Sequence, residues 1–297
     1  MTTQVDTLPE PVRTPPRATR PFYWSIRREL WENRSLYIAP LAAAAVTLFG
    51  FAIGDIWLLR RMSALDQERR SFAVGHYDLA ALVIMLTMLL AGVFYCLGAL
   101  HGERRDRSIL FWKSLPVSDL TTVLAKASVP LVILPLLGFI IIVATQLIML
   151  MMSTALLLLN GISATALWVE GPLSAMSLVQ LYCLAVLALW YAPFGGWLLL
   201  VSGSARRAVF LWAFLPPLAV CVIEKTAFGT TNVAAFLIHR LAGGYDEAFT
   251  TRAEGASQLA TLDPVRYLSS PDLWIGLAIT AAFLATAVWL RRRREPI

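Results

Sequence analysis

Charged residues are scarce in this chain of 297 residues: Asp, Glu, Lys and Arg together make up 15% of the sequence, while 58% of it is hydrophobic. A water-soluble domain carries about a quarter charged residues. The few charges also stand in short blocks between long uncharged runs, which is the pattern of bilayer-spanning helices. The sequence therefore predicts an all-α, polytopic membrane protein and argues against a water-soluble globular one.

Motifs for catalysis and for binding metals or cofactors are absent from the sequence. No G-x-x-x-x-G-K-[ST] phosphate loop occurs, so the chain lacks the backbone cradle and the lysine that hold nucleotide phosphates. G-x-S-x-G and H-E-x-x-H patterns are missing too. The histidines lie on different predicted loops, and the cysteines lie in apolar runs without metal-ligand or redox spacing: His76, His101, His239, Cys96, Cys183 and Cys221. We therefore predict no catalytic, cofactor or metal site in this chain, and no ATP hydrolysis by it alone.

The N-terminal arm has two parts. Residues 1–21 contain five prolines and no apolar periodicity, which predicts a disordered cytoplasmic tail. Between residues 22 and 36, Phe22, Ile26 and Leu30 recur every four positions, which predicts an interfacial amphipathic helix. The alternative is a cytoplasmic extension of the first membrane span.

Long uncharged runs predict six membrane-spanning helices. They lie at residues 37–59, 79–100, 127–159, 176–201, 209–223 and 273–290.

Two of these spans carry signals for a distortion. The run at 127–159 is long enough for two spans, but a split would place the later arginine clusters outside the cell, so we predict one long span kinked at Pro130 or Pro135. In the fourth span, Pro193, Gly195 and Gly196 predict a bend or a local unwinding.

Lysine and arginine are distributed unevenly between the two faces of this arrangement. Of the 25 basic residues, 17 fall on the side of the N-terminal arm and 8 on the other. Because cytoplasmic loops retain positive charge, both termini are predicted to be cytoplasmic, with a basic tail at 291–297 and an external loop at 224–272. Residues 233–238 in that loop are apolar but too few to span, which predicts an interfacial or re-entrant helix. The basic residues retained on the cytoplasmic side also account for the net charge of +6, so we predict no nucleic-acid partner.

The cytoplasmic loop at residues 101–126 is the most informative segment. It combines a charged block, an apolar run with two aromatic residues, and a position, Ser118 or Asp119, that can cap a helix returning to the membrane. A charged rim with an aromatic anchor suits docking onto a soluble protein. The residues predicted to carry this docking are Glu103, Arg104, Arg105, Asp106, Arg107, Phe111, Trp112, Lys113, Pro116, Ser118 and Asp119.

This loop resembles that of the permease subunits of type-2 ATP-binding-cassette (ABC) exporters. The shared pattern is an acidic residue after the second span, a Ser-Leu-Pro-Val-Ser segment, and a lysine that opens the third span. Here these are Glu103, residues 114–118 and Lys126. The amphipathic helix before the first span, the six spans and the short external helical element also agree with that family. The sequence departs from it where the family's glycine-and-threonine element is replaced by residues 106–108, Asp-Arg-Ser.

The resemblance implies the membrane-spanning subunit of an ATP-driven exporter in the plasma (inner) membrane. In that family two permease subunits, identical or different, associate, and two cytosolic ATPase subunits, which bind ATP and magnesium, dock on their loops. Residues 103–119 would then be the coupling element, and the second and fifth spans would line the pathway. The alternative is a non-transport scaffold or signalling subunit that recruits a cytosolic partner through the same loop.

Three residues are candidates for the transport pathway. Gln146, in the third span, either faces a cavity or makes an interhelical hydrogen bond. Phe210 and Phe214, in the fifth span, suit contact with a hydrophobic or amphipathic solute and equally suit contact with lipid or packing.

Overall fold

The computed structural model describes residues 21–61, 66–106, 117–161, 165, 168, 173–242, 244–249 and 262–293. The predicted N-terminal tail, except for Pro21, lies outside these residues, as do the last four residues of the basic tail. Among the described residues the only β pairing is an isolated bridge between Phe249 and Leu262.

Helices make up almost all of the described chain. In order they are α1 (Pro21–Glu32), α2 (Ser35–Arg61), α3 (Asp66–Ala99), α4 (His101–Arg105), α5 (Asp119–Ser128), a π-helical segment (Val129–Ile133), α6 (Leu134–Leu159), α7 (Leu173–Trp190), α8 (Ala192–Ser204), α9 (Val209–Phe228), α10 (Asn232–Leu241), α11 (Tyr245–Ala248), α12 (Pro264–Ser269) and α13 (Pro271–Arg293). Five helical stretches are long and apolar enough to cross a bilayer, or six if the bent pair α7 and α8 counts as one span. The prediction of an all-α polytopic membrane protein is confirmed.

Successive spans run in opposite directions through the bundle. The ends of α3 and α8 meet where the Leu100 N–H donates to Ser202 Oγ (3.0 Å), and the start of α5 meets the end of α13 where Arg291 pairs with Asp119. We call this end of the bundle, which carries both ends of the 101–126 loop, the loop end, and the opposite one the distal end. The chain leaves the loop end along α2, α5–α6 and α9, and returns along α3, α7–α8 and α13.

The third crossing is a single helical stretch from Asp119 to Leu159, 41 residues long. Its π-helical segment, Val129–Ile133, contains Pro130, and Pro135 lies in the first turn of α6. A proline lacks the N–H that an α-helix needs, and a π-turn is one way in which a helix accommodates the resulting gap in its hydrogen-bond ladder.

The fourth crossing is bent by 47° between α7 and α8. The break falls at Tyr191, and Pro193 lies in the first turn of α8, where its missing N–H costs no helical hydrogen bond. Trp190, the last residue of α7, is fully buried at the bend. The distortion expected from Pro193 and the two glycines after it is therefore present, just on their N-terminal side.

Helix α1 is amphipathic, with its aromatic residues on the outside of the protein and an acidic residue on the inside. Its aromatic residues Phe22, Trp24 and Trp31 are exposed, whereas Glu29 is buried against the rest of the chain. The Arg27 guanidinium covers the rings of Trp24 and Trp31, at 5.2 and 4.6 Å from their centroids. The aromatic face is thus free to enter the lipid interface, while acidic Glu29 points into the protein.

At the distal end, α10 covers the stretch predicted as an interfacial or re-entrant helix. Its ten residues rise only about 15 Å, half of the hydrocarbon thickness. The Glu224 carboxylate at the end of α9 accepts hydrogen bonds from the N–H groups of Asn232 and Val233, both at 2.8 Å. This cap fixes the turn between α9 and α10.

The path of the chain predicts opposite accessibility for two single-cysteine variants. In a background without native cysteines, exposed Asn160→Cys at the distal end should react with a membrane-impermeant maleimide in intact cells. Exposed Arg105→Cys at the loop end should react only after permeabilisation. Labelling of both from one side would contradict the path, and the reverse pattern would contradict cytoplasmic termini.

Candidate functional site

The loop end is organised around the short helix α4. The hydroxyl of Ser202, near the end of α8, accepts hydrogen bonds from the N–H groups of Leu100 and His101 at 3.0 and 2.9 Å. The Arg104 guanidinium donates to the Gly203 carbonyl oxygen at 2.8 Å. These bonds hold α4 against α8 and fix the direction of the Glu103 side chain.

Glu103 is buried and receives three basic side chains. Its Oε1 accepts a hydrogen bond from Arg28 Nη2 (2.8 Å) and lies 3.2 Å from Lys126 Nζ. Its Oε2 accepts from Arg291 Nη1 at 2.6 Å. One carboxylate therefore joins α4 to α1, α5 and α13.

A second buried carboxylate, Glu29 of α1, lies beside the first. Its Oε1 accepts from Lys126 Nζ at 2.8 Å, and its Oε2 accepts from the Tyr95 hydroxyl near the end of α3 at 3.0 Å. Arg291 also pairs with Asp119 of α5 through Nε at 2.9 Å. We call this group of seven side chains the ion-pair cluster: Arg28, Glu29, Tyr95, Glu103, Asp119, Lys126 and Arg291.

The charges of the ion-pair cluster balance, with three carboxylates facing three basic groups. Such balance is required because an isolated charge in a low-dielectric interior carries a desolvation penalty of several kcal/mol. Burial alone would lower the pKa of Arg28. The Glu29, Glu32 and Glu103 carboxylates together have a larger effect in the opposite direction, so the pKa stands above its ordinary value. Arg28 is consequently charged throughout the physiological pH range.

The predicted docking residues lie in different environments in the structure. Glu103, Arg104 and Asp119 contact other elements of the same chain, and the first two are buried rather than presented to a partner. Arg105 and Asp106 are exposed and pair with each other at 3.3 Å.

Ser118 caps α5, where its hydroxyl accepts a hydrogen bond from the Thr121 N–H at 3.1 Å. The remaining predicted docking residues lie outside the described residues: Arg107, Phe111, Trp112, Lys113 and Pro116.

Sequence reasoning missed five members of the ion-pair cluster as site residues: Arg28, Glu29, Tyr95, Lys126 and Arg291. Arg28 and Glu29 fell within the predicted interfacial helix, and Arg291 within the predicted basic tail. One usable signal was present for Lys126, a lysine that begins a long apolar run, because an ionisable group at such a place needs a partner of opposite charge. Which residue supplies the partner could not be read from the chain, since Glu29 is 97 positions away.

The three candidate pathway residues lie in two different environments. Gln146 is fully buried and its Nε2 donates to the Tyr77 carbonyl oxygen of α3 at 3.4 Å, which is an interhelical hydrogen bond. Phe210 and Phe214 are exposed on α9, with their ring centroids 4.6 Å apart. They face away from the packed interior of this single chain.

Removing Lys126 should destabilise the protein more than removing an exposed lysine. Lys126→Met leaves the Glu29 and Glu103 carboxylates buried side by side with less positive charge, which costs roughly 3–5 kcal/mol. The measurement is thermal unfolding in detergent, with Lys225→Met as the matched control because that side chain is exposed.

A second substitution separates charge from packing in this experiment. Glu29→Gln in the Lys126→Met background removes one of the two facing carboxylates and should restore part of the lost stability. Equal unfolding temperatures for Lys126→Met and Lys225→Met would show that the ion-pair cluster contributes nothing.

The described residues of the loop end therefore form a junction of five chain segments held by buried ion pairs, with an exposed charged pair beside it. The junction is suited to transmitting force between a loop and several helices, and its described side chains form no nucleophile–base pair. No protein-family model matches this chain, and no curated protein and no solved structure matches it either.

Proposed function

We propose that this chain is the membrane-spanning permease subunit of an ATP-driven ABC exporter, coupled to a separate ATPase subunit. The observation that carries the proposal is the ion-pair cluster, which ties both ends of the 101–126 loop to the first and last helices. Glu103 stands at the beginning of this loop, and Asp119 and Lys126 stand in the helix that ends it. The resemblance of the same loop to the coupling segment of type-2 exporters supports the assignment.

Force applied to the loop would reach several helices at once. A partner that pushed on the loop would displace α4 and the start of α5, and Glu103 and Asp119 both hold Arg291 at the end of α13. Glu103 also holds Arg28 on α1. A displacement therefore moves α1, α5 and α13 together, which is what switching a cavity between inward and outward access requires.

The exposed side chains of Arg105 and Asp106 are the described part of the docking face. Charged groups at an interface rim steer and orient a partner more than they add affinity. The buried Glu103 and Arg104 then act behind this face as positioning residues.

A second permease subunit, identical or different, is part of the proposal. Among the residues of α9 only Ala213 is buried, and the Phe210–Phe214 pair lies on the exposed side. A second subunit packed there would place these rings between the two subunits, at the pathway. The proposed function requires no cofactor in this chain, since ATP and magnesium would be bound by the two ATPase subunits in the cytosol at the plasma (inner) membrane.

The proposal is tested by coexpression with ABC-type ATPases from the same organism. The chain and one of these ATPases should copurify and hydrolyse ATP. The double exchange Arg105→Glu with Asp106→Arg keeps the local ion pair but inverts its direction. It should lower the rate of ATP hydrolysis by the complex roughly fivefold, which corresponds to a free-energy change of about 1 kcal/mol. Lys225→Glu, an exposed charge reversal at the distal end, is the matched control and should leave hydrolysis unchanged.

Two results would contradict the proposal. An unchanged ATPase rate in the exchanged variant would exclude the exposed pair from coupling. A stable complex with a cytosolic protein that has no ATPase activity, together with no ATP-linked movement of solute in vesicles, would favour a scaffold or signalling subunit.

A further inference from the structure

A second polar group lies at the distal end, far from the ion-pair cluster. His239 is on α10, Glu247 on α11 and Asp272 in the first turn of α13. We propose that these three side chains bind one divalent transition-metal ion, for which Zn²⁺ is the representative. The proposal is independent of the transport function.

The two distances from His239 to the carboxylates are close to those between metal ligands. His239 Nε2 lies 3.6 Å from Glu247 Oε1 and 3.5 Å from Asp272 Oδ2. One ligand atom of each residue lies within 4.8 Å of the other two. Ligands at the usual Zn–N and Zn–O bond lengths in a tetrahedral site stand about 3.3–3.5 Å apart. An ion would therefore fit between the three with only small side-chain adjustments.

Each ligand is held by the fold. The His239 ring meets the edge of the buried Trp190 ring, with centroids 5.7 Å apart. The residue after Glu247, Ala248, is fully buried, and its carbonyl oxygen accepts a hydrogen bond from the Tyr182 hydroxyl at 3.0 Å. The Asp272 carbonyl oxygen accepts from Arg240 Nη1 at 3.0 Å. The fold thus positions the His239 ring and the backbone that carries the two carboxylates.

The electrostatics of the group favour a cation. Within the described residues the buried Oε2 of Glu247 has no hydrogen-bond partner, so a cation bound there would pair an otherwise unsatisfied carboxylate oxygen. The nearby Arg240 is held by the Asp272 backbone and by the face of Trp190, at 4.3 Å from its centroid. With a neutral imidazole, two carboxylates outweigh this one guanidinium and leave the group negative.

The ligand types select the kind of metal. An imidazole nitrogen suits Zn²⁺ and other transition metals, whereas Ca²⁺ and Mg²⁺ prefer sites made of oxygen atoms alone. Three protein ligands leave a fourth position open to water. A bound ion would also link α10 and α11 to the last span, so it should stabilise the distal end.

The test uses the purified full-length chain in detergent and Zn²⁺ alone as the probe. We expect one Zn²⁺ per chain by equilibrium dialysis with metal analysis, and a higher unfolding temperature when it is bound. His239→Ala, Glu247→Gln and Asp272→Asn should each weaken binding by roughly a hundredfold, since even groups that only support a ligand change affinity tenfold to a hundredfold. His76→Ala, a histidine on α3, is the matched control and should keep full affinity.

Folding of the variants is checked by gel filtration, and a Co²⁺ spectrum provides a second measurement that does not depend on stability. The wild-type chain and His76→Ala should show the visible absorption of a tetrahedral Co²⁺ site, and His239→Ala should lose it. The proposal is overturned if Zn²⁺ does not bind, or if His239→Ala binds it as tightly as the wild type. It is equally overturned if Ca²⁺ binds as tightly as Zn²⁺ and without dependence on His239, which would mark an acidic surface only.

Discussion

A carboxylate that is buried at the edge of a membrane must be neutralised by its own protein, and Glu103 imposes this constraint on the whole loop end. Three basic side chains from three helices meet its two oxygen atoms. Because Lys126 is shared with Glu29, the requirement extends to α1 and through Tyr95 to α3. The helices at this end are positioned by charge neutralisation as well as by apolar packing. A cluster of this kind adds less net stability than its many contacts suggest, but it penalises any arrangement that leaves one member unpaired.

The same constraint explains the orientation of α1. In a water-soluble protein the charged face of an amphipathic helix faces solvent, but here Glu29 points inward and Phe22, Trp24 and Trp31 point outward. The aromatic face is left free for the predicted lipid interface, while the ion-pair cluster supplies the polar surroundings for the charged face. The helix is therefore fixed to the junction on one side and presents its aromatic residues on the other.

The sequence was sufficient to predict features that depend on neighbouring residues. Uncharged runs predicted the crossings, and Pro193 with the glycines after it predicted a bend or local unwinding in the fourth crossing. Either Ser118 or Asp119 was predicted to cap the helix that returns to the membrane, and Ser118 caps α5. The ion-pair cluster was not predictable, because Glu103 and Arg291 are 188 positions apart and the loop pattern that contains Glu103 does not indicate which residues pair with it. The same holds for His239, whose carboxylate neighbours come from two other helices. The sequence predicted no metal site because a search by spacing finds only ligands that share one helix or one loop.

Among the described helices, α13 alone belongs to both polar groups. Arg291 at one end holds Glu103 and Asp119, while at the other end Asp272 lies beside His239. The helix is 23 residues long, about 35 Å. Close packing keeps it in register with α8.

The packing of α13 against its neighbours depends on small residues at two points of contact. A Cβ at Gly196 of α8 would lie 3.3 Å from the Thr280 side chain, and a Cβ at Gly276 would collide with the Arg240 guanidinium. Arg240 is itself stacked on Trp190 at the bend of the fourth crossing. A shift of α13 along its axis at the loop end would therefore disturb the contacts at the bend and at the distal group. Helix α13 thus connects the ion-pair cluster at the loop end with the polar group at the distal end.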